Sequence, residues 1–321
     1  MKKFLIVILF TVMGISLFGS CATLLPETPV IEDGVTVYYR TQPPYYGISA
    51  DKLVNLNNNE AAVNPTWEEL VSFLEQDDTD KGAYGFDLQV CAEFANELHD
   101  NAETAGIKSA WVGIEFEDNS EGHAFNAFKT IDRGLVFVDC TGRVPTDIVS
   151  LTSIDTNETE YSRPSLTHND RIAYVEIGKK YGLIHLEYAL SLGYGYYEDY
   201  QKEWDNYYSL SEEYDQLVAE FNQKFDIYNS EIESYNNFSD EYEFKLDGRE
   251  VIKDPTEYAE ISRMYDELGE MQLELKLEGT ELDKEGIQLL QEWEKLIEEL
   301  DRLGWYRNES PGIVSSVEIY W

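Results

Sequence analysis

A chain of 321 residues with 63 acidic and 24 basic side chains carries a formal charge of −39. That charge repels polyphosphate and bare anionic lipid surfaces, so nucleic acid is excluded as a natural partner. With 43% hydrophobic and 13% aromatic residues the chain is too apolar for general disorder, and its length provides for one core domain plus an accessory element.

Residues 1–21 read as a targeting segment. Lys2 and Lys3 precede an uncharged apolar run from Phe4 to Phe18, and the small residues Gly19 and Ser20 stand before Cys21. The pattern resembles a bacterial lipoprotein signal, which implies a lipid on Cys21, attachment to a membrane through it, and an extracytoplasmic location. Phe18 departs from the aliphatic residue usual at that position. A plain secretory signal and an uncleaved anchor are the alternatives, although the apolar run falls short of the roughly 20 residues a spanning helix needs.

Residues 22–63 form a tether or irregular lead-in, broken by P-E-T-P, Q-P-P-Y-Y-G and N-L-N-N-N-E, with one short strand at V-T-V-Y-Y-R. Thr66 and Glu69 make a capping box for a helix over Trp67–Gln76. Asp87 is the expected N-cap of the next helix, which puts Cys91 in its first turn and Gly106 at its C-terminal cap. The free N–H groups of a first turn favour negative charge and can hold an oxyanion. K-S-A-W-V-G-I-E-F-E-D follows as a strand.

His123 lies in the strand-like run H-A-F-N-A-F-K-T, and Asp139 in the next one, G-L-V-F-V-D-C. A turn centred on Asp132 sets His123 opposite residue 141. Asp139 is then the diagonal neighbour of His123 on one face, with Val136, Val138 and Cys140 on the other. A shift of one residue would destroy the arrangement. A thiol, an imidazole and a carboxylate in this order are the parts of covalent acyl transfer. Cys140 reads as a small buried hydrophobe, so Cys91 and Cys140 are expected as free thiols.

This stretch resembles the transglutaminase-like domain of the papain-like cysteine-enzyme superfamily. The likeness rests on V-C-A-E-F-A around Cys91, A-G-I-K-S-A-W-V after the helix, G-H-A-F-N around His123 and V-F-V-D-C-T around Asp139. It spans roughly residues 65 to 190, under half the chain. It implies Cys91 as nucleophile, His123 as general base and acid, and Asp139 as the orienting group. The family often supports the oxyanion with a Gln or an aromatic residue just before the nucleophile. Residue 90 is Val, so Gln89 is the candidate for that role.

No C-x-x-C pair, H-E-x-x-H, Walker loop or G-x-G-x-x-G occurs, so neither metal nor cofactor is expected. His99 lies roughly 12 Å along the helix from Cys91. His168 sits in a polar T-H-N-D loop, and His185 follows an apolar run as packing or surface.

Beyond Asp139 a loop-rich stretch runs to Asn169. A hairpin then turns through Gly178–Tyr181 and extends the sheet. From Tyr196 the apolar residues recur at 4-3 spacing: Tyr200, Trp204, Tyr207, Tyr214, Val218 and Phe221 on one run, and Ile261, Tyr265, Leu268, Leu275, Leu282 and Leu289 on a second. Asp247-Gly248 and Pro255 reverse the chain between them. The pattern predicts an antiparallel coiled-coil hairpin with arms of about 60 Å, in which Gly279 and Gly286 leave room for first-arm aromatics. G-I-V-S-S-V-E-I-Y-W reads as a final strand.

The expectation is an α+β protein. A lipoprotein-type signal occupies 1–21 and a lead-in 22–63. A papain/transglutaminase-like core, one helix packed on an antiparallel sheet, occupies 64–192. The hairpin covers 196–303 and a C-terminal strand 304–321. The expected activity is attack on protein or peptide amides by a Cys91–His123–Asp139 thioester route, as protease, amidase or transglutaminase. The alternative is a non-catalytic binding or scaffold lipoprotein that works through the hairpin. The hairpin is a stalk, an arm for a protein partner, or a seam for self-association.

Overall fold

In the computed structural model, residues 28–44, 53–82, 89–118, 121–142 and 168–321 are described. The signal segment with Cys21, and Asp87, lie outside them. Three antiparallel strands form the middle of the sheet: β3 (Ala110–Phe116), β4 (His123–Thr130) and β5 (Gly134–Asp139). Their turn and register are those the sequence implies. Asn126 pairs with Val138, Phe128 with Val136 and Thr130 with Gly134. The Thr130 hydroxyl braces the turn from inside, and Asp132 accepts the Trp67 N–H at 2.8 Å.

The hairpin of β6 (Arg171–Tyr174) and β7 (Gly182–His185) continues the sheet on the β5 side. On the other side stand β1 (Val30–Glu32), β2 (Val35–Tyr38) and β8 (Val314–Tyr320), in the overall order β1-β2-β8-β3-β4-β5-β6-β7. The sheet is therefore mixed, not antiparallel as expected, because β2 and β8 run parallel. β2, assigned to a lead-in by its local sequence, is a member of the sheet. Neighbouring residues carry no sign of this pairing, which joins Thr36 to Glu318 across almost the whole chain.

The sheet curls. Tyr181 N–H bonds to Gly312 O at 2.9 Å and Val314 N–H to Lys179 O at 2.9 Å, so the tip of the β6–β7 hairpin meets the start of β8. Val112, Ile114, Phe125, Tyr181, Val317 and Ile319 form one buried cluster within this curl. The alternate residues Phe128, Val136, Val138 and Cys140 pack on helices instead. Those helices are α1 (Trp67–Leu74), capped as expected by Thr66 and Glu69, and α2 (Cys91–Thr104). α2 contributes Phe94, Leu98 and Ala102 to the packing and ends at Gly106 with φ +81°. There the Ile107 and Gly106 N–H groups close on Ala102 O and Glu103 O.

α3 (Tyr194–Leu246) and α4 (Pro255–Leu303) have 53 and 49 residues, about 75–80 Å each and longer than expected. They run antiparallel: Lys224 meets Glu285 at 2.7 Å and Arg302 meets Glu203 at 2.9 Å. Asp247 at φ +48° ends α3, and Asp254 caps α4 just before Pro255. Gly279 receives the ring of Tyr228 and Gly286 that of Phe221, contacts a Cβ at Gly279 would obstruct. Two seam positions differ from expectation. Phe225, next after Phe221 in the 4-3 run of the first arm, is exposed and stacks on Phe221. Tyr265 is exposed and its ring lies beside Tyr242, while Met264 is buried. Both spacings share Ile261 and Leu268, and the partner helix decides between the two flanks.

The base of the hairpin belongs to the core. Trp204, Tyr207, Leu300 and Leu303 join Phe94, Phe128 and Val138 in one buried cluster, and the Tyr200 hydroxyl donates to Leu303 O at 2.6 Å. Excision of residues 200–303 is therefore expected to give an aggregating product. Excision of 222–285 with a short Gly-rich join should melt cooperatively. Circular-dichroism melts of the two proteins check this, and a soluble, cooperative first product would contradict it.

Candidate active site

The α2 N-terminus places Cys91 at its first residue. Val90 is the N-cap, and its N–H is taken by the Glu93 carboxylate at 3.2 Å. The Glu93 N–H closes on Val90 O at 2.9 Å, and the Cys91 and Ala92 N–H groups ahead of it have no acceptor within the helix. Asn126 donates to Ala95 O at 2.8 Å and the Trp111 indole to Ala92 O at 3.2 Å. These bonds fix α2 on β3 and β4, with Cys91 near the β4 end that carries His123.

His123 Nε2 lies 2.8 Å from Asp139 Oδ2. The Cys91 side chain lies close enough to the same ring to favour its charged form. The structure thus brings Cys91, His123 and Asp139 into one chain of contacts. His123 keeps a fifth of its side chain open to solvent, while Asp139 keeps 1%.

Two further residues meet at Asp139 that sequence reasoning missed. The Tyr181 hydroxyl donates to Oδ2 at 2.9 Å, and the Arg171 guanidinium stands 3.5 Å from Oδ1. The Thr141 N–H donates to Oδ1 at 2.8 Å. Arg171 is the direct cross-strand partner of Asp139. That signal appears only once β5 is known to pair with β6. Tyr181 reads locally as a turn residue, yet its ring packs edge-on against His123 at 5.4 Å.

Burial works against the charged forms of both partners, and the neighbours reverse it. For His123, the charge and hydrogen bond of Asp139, followed by Cys91, outweigh desolvation and raise the imidazole to about 10. For Asp139, Arg171 and His123 outweigh desolvation and hold the carboxyl well below the usual range.

The other sequence candidates fall elsewhere. The Gln89 amide donates to Glu97 at 2.9 Å and is engaged there. Cys140 is a free, fully buried thiol on the helix-facing side, pushed up by burial and nearby carboxylates, and its Sγ approaches Phe94 O at 3.8 Å. Cys91 is free as well. His99 is buried against Asn58, and desolvation lowers it to about 4. His185 bonds to His168 O at 2.9 Å. Compared with models of protein families, with curated proteins and with solved structures, the chain matches none.

A charged His123–Asp139 pair sets a pH dependence. A raised His123 contributes its full stability below the ordinary 6.5 and loses it as pH climbs through about 10. A lowered Asp139 contributes above the ordinary 3.8 and loses that as pH falls toward its folded value. The stability gap between wild type and His123→Gln should be widest at about pH 5–6 and narrow toward about pH 10. Thermal melts across that range check it, and a constant gap would rule out the ion pair.

Proposed function

We propose that the chain is an extracytoplasmic, lipid-anchored transglutaminase-like cysteine enzyme that attacks protein or peptide amides through a thioester on Cys91. The observation that carries this reading is the relay from a helix-start thiol through His123 to a buried carboxylate held anionic by Arg171, Tyr181 and Thr141. The curled sheet with α2 seated on it supports a papain-like core, and the 4-3 seam of α3 and α4 supports a coiled-coil hairpin. Both are part of the proposal.

In this mechanism the proton of the Cys91 thiol resides on His123 at the outset, and the sulfur adds to the amide carbon as a thiolate paired with that imidazolium. The negative charge that develops on the carbonyl oxygen falls near the free N–H groups of the α2 first turn. The C–N bond breaks as His123 returns the proton to the departing amine or ammonia, leaving the acyl group on sulfur. Water or a second amine then attacks the thioester with His123 again as base. Asp139 holds the imidazole in the orientation and protonation state each step needs. The acceptor decides between protease, amidase and transglutaminase.

A second reading has one observation in its favour. Engagement of the Gln89 amide by Glu97 withholds from an oxyanion the side-chain donor that the sequence offered. In that reading the chain is a non-catalytic scaffold, and the hairpin carries the function by binding a protein partner or a second copy.

Alkylation by iodoacetamide separates the two. Cys91 should label at about pH 6, with Cys140 untouched in the folded protein. His123→Ala should slow the labelling by about tenfold or more, and Asp139→Asn should slow it too. Equal rates in all three proteins would sink the enzyme reading. With a peptide library as substrate, Cys91→Ala should lose all amide turnover while retaining the wild-type melting curve.

A further inference from the structure

His168 reads in the sequence as a loop residue, and no metal motif surrounds it. The fold sets it against two acids distant in the chain or next but one to it. Asp80 lies in the 3-10 turn Thr79–Lys81, and Asp170 immediately precedes β6. They are 4% and 3% exposed. One ligand atom each from Asp80, His168 and Asp170 fall within 4.8 Å of one another.

The cluster is incompletely paired. Asp80 Oδ1 and His168 Nδ1 are both buried without a hydrogen-bond partner. His168 Nδ1 stands 3.7 Å from Asp80 Oδ2, too far for a hydrogen bond. The Asp80 side chain is 2% exposed, and its Oδ2 accepts the Asn169 N–H, which fixes the carboxylate in place. Two buried carboxylates beside an unsatisfied imidazole nitrogen are costly as they stand, and a cation among them removes that cost.

We propose that Asp80, His168 and Asp170 bind a divalent transition-metal ion, with zinc the best fit. One imidazole nitrogen and two carboxylate oxygens suit zinc, with water completing a tetrahedron. Ligands about 2.1 Å from zinc in a tetrahedron stand roughly 3.4 Å from each other, close to the 3.7 Å between His168 and Asp80. Calcium takes six to eight oxygens and has no use for the nitrogen.

The ion would act on the candidate active site at second hand. Asn169, between two of the ligands, donates to Gly142 O, and Arg171, next to the third, donates to Thr141 O and faces Asp139. Metal at this position pins the strand that supplies the cation of Asp139. The inference is independent of whether Cys91 is catalytic.

The test uses the full chain stripped with a chelator and titrated with zinc against a chromophoric chelator, with manganese and calcium in parallel. One zinc should bind per chain. Asp80→Asn, His168→Gln and Asp170→Asn should each weaken binding by at least about tenfold. Cys91→Ala should leave affinity and stoichiometry unchanged. Cobalt substituted into the wild-type protein should give a spectrum without sulfur-to-metal charge transfer, a result that needs no variant to fold. Zinc should raise the melting temperature of wild type and Cys91→Ala, but not of His168→Gln. Failure of the wild type to bind zinc, loss of binding in Cys91→Ala, a sulfur band with cobalt, or tighter binding of calcium would each overturn the assignment. Cys91 alkylation, run alongside, reports separately on the thiol–imidazole pair.

Discussion

The carboxylate of Asp139 is the charge that the rest of the site is arranged to keep. An anion this deeply buried persists only if its lone pairs and its charge are met, and each oxygen is met twice. Oδ2 takes His123 and Tyr181, while Oδ1 takes the Thr141 N–H and faces Arg171. The partners come from β4, β6, the approach to β7, and the second residue after β5. The charge can therefore be satisfied only when those strands are paired and the sheet is curled. Fold and site share one constraint, and His123 inherits its charge and orientation from it.

The two long helices stand in a different relation to that core. At their base Trp204, Tyr207, Leu300 and Leu303 pack in the same cluster as Val136 and Cys140 from the back of β5 and the start of the following segment. The helix pair thus presses on the face opposite Asp139. Farther out, the pair buries only its own seam, with Tyr228 over Gly279 and Phe221 over Gly286. The distal part is free of the sheet and available for contact with other molecules, while the proximal part is as much core as α2.

Local signals carried much of this. The Asp132 turn fixed which faces His123 and Asp139 share, because a hairpin register follows from its turn. Gly106 and Pro255 marked helix ends through their backbone preferences, and Asp247 with Gly248 marked the reversal between the long helices. What escaped the sequence was long-range. Arg171 and Tyr181 reach Asp139 only through the β5–β6 pairing and the curl. The parallel placement of β8 beside β2 has no local signature. Tyr265 and Met264 fit the apolar rhythm of α4 equally well, and only the partner helix tells them apart. The N-cap of α2 is Val90, whose N–H is held by Glu93, a stabilisation supplied three residues downstream.

β8 lies between β2 and β3, and the chain reaches it only after completing both long helices. The sheet that gathers His123, Asp139 and Tyr181 is therefore completed along β3 by a strand that follows the hairpin in the chain. Tyr181, whose N–H closes on Gly312, is fixed only when that late segment arrives. Closing so large a loop costs little extra entropy but slows the search for it. The hydroxyl that Tyr181 gives to Asp139 therefore depends on segments at both ends of the two long helices.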